Sequence, residues 1–208
     1  MGIQNDVGES GIALPKGAIA LGGAAMLSAV ALAASKGGGL AFAQDAPFKN
    51  DLDVLNYALT LEFFEATLYK TLLGTGKLQG RDLQYVTLFG QHEQAHVDAV
   101  QATIQKLGGT PVTKGNYNFG AAGPLDTREQ VLGVLATVEQ VGVSAYLGAA
   151  GYIQNKDILA AAASIMQVEG RHTALIRFLL GQPPVPDAFV SPLTPAEVLT
   201  KVTPFFNK

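Results

Sequence analysis

Two short stretches of this chain carry residue types at a spacing that can grip a metal ion: Glu93-Gln94-Ala95-His96 and Glu169-Gly170-Arg171-His172. In a helix, residues three apart share a face with about 5–6 Å between Cβ atoms, so each Glu-x-x-His pair can hold one ion jointly. With 8 Glu and 3 His among 208 residues, chance supplies only about 0.1 such matches, and two occur. Two more acids interrupt apolar stripes. Glu62 falls in the helical series Leu55, Leu59, Ala66, Tyr69 and Leu73, and Glu139 lies between Leu135 and Gly142. Four carboxylates in one apolar core would repel each other and be driven to the protonated form. Two divalent ions would balance the four charges and leave both imidazoles neutral as ligands. The candidate metal ligands are therefore Glu62, Glu93, His96, Glu139, Glu169 and His172.

An internal near-repeat supports the same set. Glu139 and Tyr146 follow Glu62 and Tyr69 at an offset of 77 residues, and Glu169 and His172 follow Glu93 and His96 at 76. Two copies of one helix hairpin, differing by a single loop residue, account for both offsets. Tyr69 and Tyr146 each lie two helical turns beyond a Glu and are candidates for hydrogen bonds that orient the ligands. Glu65 lies one turn from Glu62, but its mate in the repeat is Gly142, so the symmetry assigns the ligand role to Glu62. His92 sits about 100° around the helix from Glu93 and reads as a surface residue. No cysteine is present, which removes thiolate ligands, disulfides and cysteine nucleophiles together. Carboxylate and imidazole donors suit iron or manganese, with zinc also compatible.

Four long helices must position these residues. The first runs from Asn50–Asp51 to Gly74, and the second from about Arg81 to Leu107 before Gly108-Gly109. The third begins at Asp126 with Glu129 as its capping-box partner and reaches about Gly151. The fourth runs from about Asp157 to Leu180, and a short C-terminal helix begins at Thr194-Pro195-Ala196-Glu197. Short loops make the first pair and the second pair antiparallel hairpins. The connection from Gly108 to Leu125 is 18 residues long. It can reach nearly 60 Å when extended, enough to cross a bundle whose helices are about 36 Å long. All four acidic positions fall near mid-helix, so they meet at one depth. The fold class is all-α: a four-helix bundle with a long crossover and a short C-terminal helix.

Residues 1–43 are a separate segment. Gly17 to Ser35 is an uncharged run of 19 residues, followed by Gly37-Gly38-Gly39 and then Ala41-Phe42-Ala43. This small-x-small pattern is the kind that signal peptidase cuts, so the segment reads as an export signal with the mature chain starting at Gln44. Its low hydrophobicity resembles twin-arginine signals, although both arginines are missing. The alternative is an uncleaved anchor, since a run of this length over residues 17–35 can span a bilayer. Residues 44–208 then form one domain with a Pro-rich tail. Net charge is −3 with no run of Lys or Arg, which excludes a nucleic-acid footprint.

These residues resemble the ferritin-like superfamily, whose signature is one Glu from each of two helices and Glu-x-x-His from the other two. The stretches Leu55–Glu62, Leu107-Gly108-Gly109-Thr110-Pro111 and Val168–His172 resemble an exported bacterial branch that includes plant desiccation-related proteins. The resemblance implies a di-iron or di-manganese centre in the periplasm or cell envelope. It does not imply one reaction, since the superfamily contains ferroxidases, peroxidases, manganese catalases and oxygenases. The leading reading is redox chemistry with dioxygen or hydrogen peroxide, of ferroxidase, peroxidase or catalase type. In that reading Glu62 and Glu139 are terminal ligands, Glu93 and Glu169 bridge, and His96 and His172 each cap one ion. The alternative is a structural or stress-protective envelope protein, a homo-oligomer or assembly subunit, whose metal site stabilises the fold.

Overall fold

Three of the four long helices, and the short C-terminal one, begin where a side chain satisfies their first backbone donors. Asn50 accepts from the amide of Asp53 to open α1 (Asp51–Leu73), and Asn155 accepts from Asp157 and Ile158 to open α4 (Lys156–Leu179). Between them lie α2 (Gly80–Lys106) and α3 (Arg128–Ala150). The start of α3 differs from the sequence expectation by one residue. Thr127 and Gln130 form its capping box, not Asp126 and Glu129. The Gln130 carboxamide oxygen accepts from both Asp126 and Thr127 amides at 2.8 and 3.0 Å, a double satisfaction that fixes the register. Thr194 and Glu197 form a second capping box that opens α5 (Pro195–Val202).

The computed structural model describes residues 48–206 and, before them, only the backbone of two paired two-residue strands, Ala33–Ala34 and Leu40–Ala41. The expected export segment over residues 1–43 otherwise lies outside the described residues. Helix ends follow backbone chemistry. Gly108 and Gly181 stand at φ +76° and +70° just beyond α2 and α4, a left-handed turn that glycine adopts without a Cβ penalty.

The α1–α2 and α3–α4 pairs pack most extensively, and the two hairpins meet mainly through α1 and α3. This is the ferritin-like helical bundle, with a crossover between α2 and α3. Asp51 at one end of the bundle accepts from the amides of Gln154 and Asn155, tying α1 to the α3–α4 loop. At another point Arg128 pairs with Asp82 and donates to the carbonyl of Leu179, so α2, α3 and α4 are clamped by one side chain. The crossover and the C-terminal tail cover α1 together. Tyr117 pairs with Phe206 in an isolated β-bridge, and Phe119 and Phe205 pack on Phe64 at 5.4 Å. The tail then crosses α3 at Gly148, where an added Cβ would lie 1.9 Å from the Leu193 carbonyl oxygen. Only glycine lets backbone approach backbone so closely there.

Candidate metal centre

The four helices deliver their polar residues to the middle of the bundle. Glu62, Glu93 and Glu169 are wholly buried, and Glu139 and His172 expose 1% each. Acids this deep are rare unless paired or bound to metal. Single ligand atoms from Glu62, Glu93, His96 and Glu169 lie within 4.8 Å of one another, as do those from Glu93, Glu139, Glu169 and His172. The structure thus brings all six candidate residues together in two groups. Glu93 and Glu169 belong to both groups, whereas Glu62 and Glu139 belong to one each.

Both imidazoles turn Nδ1 toward the acids. His96 Nδ1 lies 3.1 Å from Glu93 Oε2, 3.1 Å from Glu169 Oε1 and 3.5 Å from Glu62 Oε2. His172 Nδ1 lies 3.0 Å from Glu93 Oε1 and 3.4 Å from Glu139 Oε1. Several of these buried atoms have no hydrogen-bond partner: Glu62 Oε2, Glu93 Oε1, Glu139 Oε2, both oxygens of Glu169 and His172 Nδ1. Buried polar atoms left unpaired are costly, and here they converge on one another. A pair of divalent cations would supply the missing partners, so the residues fit such ions.

The family model for the ferritin-like domain matches residues 50–182. The chain belongs to the ferritin-like domain family. A crystal structure of a hypothetical protein from Methanococcus jannaschii is similar in fold. Its TM-score is 0.58 at 18% identity, over 76% of this chain and 95% of that one. No curated protein sequence matches the chain.

Within this ferritin-like domain the tyrosines bond across the hairpins. Tyr69 on α1 donates to Glu139 on α3, and Tyr146 on α3 donates to Glu62 on α1. Each phenol occupies Oε1 and leaves Oε2 of that acid without a partner. Tyr69 fits because Gly90 faces it, where a Cβ would lie 3.2 Å from the Cβ of Tyr69. Burial, then the nearby carboxylates, pushes both phenols well above their ordinary value, so they remain donors.

His92 corrects the sequence reading. It is half-buried rather than a free surface residue, and its Nδ1 lies 2.9 Å from Nε2 of His172. The two imidazole rings are nearly parallel with centroids 5.2 Å apart, and Phe89 stacks on His172 at 4.2 Å. The turn of about 100° away from Glu93 points this side chain toward α4 instead of solvent. Metal ligation through His172 Nδ1 would require the tautomer in which Nε2 donates to His92, and this contact accommodates it.

Glu65 is also closer to the centre than the repeat implied. It is 3% exposed and belongs to neither ligand group. The missing side chain of Gly142 makes its room, since a Cβ there would lie 2.7 Å from Glu65 Oε1. Burial first, and then Glu169 and the other acids, pushes Glu65 well above the carboxylate range.

The other acids of the centre are pushed in different directions by their surroundings. Burial drives Glu62 up to about 8, opposed by the neighbouring His96 and reinforced by Glu169 and Glu93. Glu139 is raised well above the carboxylate range by burial and then by the charges of Glu169 and Glu93. Burial also pushes Glu93 upward, but His172 and His96 outweigh it and hold this acid below its ordinary value. Burial would lower His96, yet the surrounding carboxylates of Glu169, Glu62 and Glu93 carry it up to about 12.

Proposed function

We propose that this is an exported protein of the cell envelope that holds two iron or manganese ions and reduces or disproportionates a small oxidant, dioxygen or hydrogen peroxide. The observation that carries the reading is the sharing of Glu93 and Glu169 between two ligand groups, each completed by its own Glu and its own His. Two transition-metal ions held side by side would supply the two electrons that cleavage of an O–O bond requires. The chain's own part is positional. Glu93 and Glu169, common to both ligand groups, would help hold both ions, and Glu62 and Glu139 would each help hold one, oriented by tyrosines from the opposite hairpin. His96 and His172 present Nδ1, with His92 placed to hold the tautomer of the latter. The stretches Leu55–Glu62 and Val168–His172 support placement in the exported bacterial branch that includes the plant desiccation-related proteins.

Elemental analysis and the optical spectrum of purified protein, before and after peroxide, test this reading. It requires about two Fe or Mn ions per chain, matching the four carboxylates, and a spectrum that changes on oxidation. Absence of Fe, Mn and Zn after supplementation would sink it. Tight metal binding with no response to oxygen or peroxide would instead leave the centre as a staple for the fold. Mass spectrometry of protein from its host, finding the N-terminus at Gln44, tests export; an intact Met1 or Gly2 in membranes would mean an anchor.

A further inference from the structure

A cavity of about 540 Å³ lies between α1, α3 and the C-terminal helix α5. Leu61, Phe64, Val134, Val138, Val141 and Phe205 form apolar walls. This volume is in the range that holds a small organic ligand, and such walls recognise an alkyl or aryl body. The two ends differ. Glu65 and Gly142 form the inner end, where the position of a Gly142 Cβ is 2.7 Å from Glu65 Oε1 and 3.5 Å from Glu169 Oε2. The cavity therefore stops beside an acid shared by both ligand groups. Lys201, exposed on α5, stands at the outer rim.

The lining selects among ligand classes. A sugar or other polyol would leave most of its hydroxyls facing apolar wall, an unfavourable burial. A cationic headgroup would meet Lys201 at the rim, where like charges repel. An anionic headgroup at that rim gains an ion pair and can stay partly hydrated, while its chain displaces water from the walls. Glu65, 97% buried by its 3% exposure, keeps Oε2 without a partner and closes the inner end.

We propose that this cavity binds a monoanionic amphiphile with one alkyl chain of medium length, the chemistry of a fatty acid. Its carboxylate pairs with Lys201 and its chain lies along the apolar α1 and α3 walls. The inference concerns binding, so it stands or falls separately from the redox reading.

Calorimetric titration of the full chain with decanoate, below the concentration at which it forms micelles, tests the proposal. Saturable binding of one decanoate per chain is expected, with decyltrimethylammonium bound at least about tenfold more weakly. Val134→Phe narrows the cavity from its wall, away from the six ligand candidates, and should weaken decanoate by at least about tenfold. Lys201→Glu, at an exposed position that the fold does not need, should reverse the preference between the two headgroups. No saturable decanoate binding would overturn the proposal. So would equal affinity for the two headgroups, or undiminished decanoate binding by Val134→Phe that retains the helical circular dichroism of the parent. Should that variant fail to fold, the headgroup comparison in the parent and in Lys201→Glu decides alone.

Discussion

The phenol of Tyr69 on α1 donates to Glu139 on α3, and not to Glu62 seven residues earlier on its own helix. Tyr146 returns the bond from α3 to Glu62. The two hairpins are thus cross-linked through the acids of the centre, at the α1–α3 contact where they meet. Because a phenol fixes one oxygen of each carboxylate, the other is presented to the interior in a single orientation. Packing of the bundle and geometry of the centre are one problem here.

Removing either phenol should therefore disturb ligand orientation without removing a ligand. Tyr69→Phe and Tyr146→Phe are expected to lower metal affinity by about 10–100-fold, as loss of an orienting partner does. The two variants should match each other, since each frees one terminal acid. Competition with a chromophoric chelator measures this. Unaltered affinity in both would show that the tyrosines only fill the core.

The six candidate ligands should sort into matched pairs. Glu62→Ala and Glu139→Ala each remove one terminal carboxylate, and should lose metal by more than the about 10–100-fold expected of an orienting partner. His96→Ala and His172→Ala form the second pair. Glu65→Ala should keep the full metal complement, because Glu65 lies in neither ligand group. His92→Ala should fall between, weakening metal through the tautomer of His172. A chain that empties on Glu65→Ala yet stays loaded on Glu62→Ala would show the ligand assignment to be wrong.

Much of this arrangement is legible in the sequence because helix periodicity and repeat offsets report which residues share a face. The Glu-x-x-His pairs, Glu62 and Glu139 are read in that way, and the 18-residue connection between Gly108 and Leu125 limits how the hairpins join. Periodicity says nothing about which neighbour fills a given flank. For that reason the partner of Tyr69 and the contact of His92 with His172 had to come from the packing. His92 did carry a signal, since it lies four residues before His96 and so near the same stripe. The pairing of Glu65 with Gly142 was visible as a mismatch in the repeat. Its meaning, a glycine that vacates space for a buried acid, is tertiary. The capping box of α3 shifted by one residue because Asp126–Glu129 and Thr127–Gln130 both have capping chemistry, and only hydrogen bonding selects between them.

Gly148 makes a stability prediction remote from the centre. A Cβ there would lie 1.9 Å from the backbone oxygen of Leu193, and Leu193 itself donates to the Ser144 carbonyl at 3.0 Å. The obstacle is backbone, so no rotamer change relieves it, and the tail must lift from α3. Gly148→Ala should destabilise by about 1–3 kcal/mol, the usual range for overpacking, despite the better helix propensity of alanine. Chemical denaturation measures the difference. A stabilised variant would mean the tail is not seated on α3 as described.

The last prediction concerns pH in protein stripped of metal. Glu62 rises from 4.5 to about 8 on folding, and Glu65 and Glu139 rise well above 4.5. A raised value means that the folded chain binds the proton more tightly than the unfolded chain. The stabilisation is complete below 4.5 and is lost as pH climbs through the folded value. His96, raised from 6.5 to about 12, acts in the same direction above neutrality. Glu93 alone among these acids is lowered, so its contribution is present above 4.5 and disappears on acidification. Glu93 is ionised in both states above about pH 5 and adds no slope there, so the raised acids govern and the melting temperature of stripped protein should fall between about pH 5 and pH 8. Metal replaces those protons, so its affinity should rise over the same interval and loading should restore the melting temperature. Scanning calorimetry of stripped and iron- or manganese-loaded protein at several pH values measures both effects. A stripped protein that becomes more stable toward pH 8, with metal affinity independent of pH, would show that the buried acids are not held protonated in the fold.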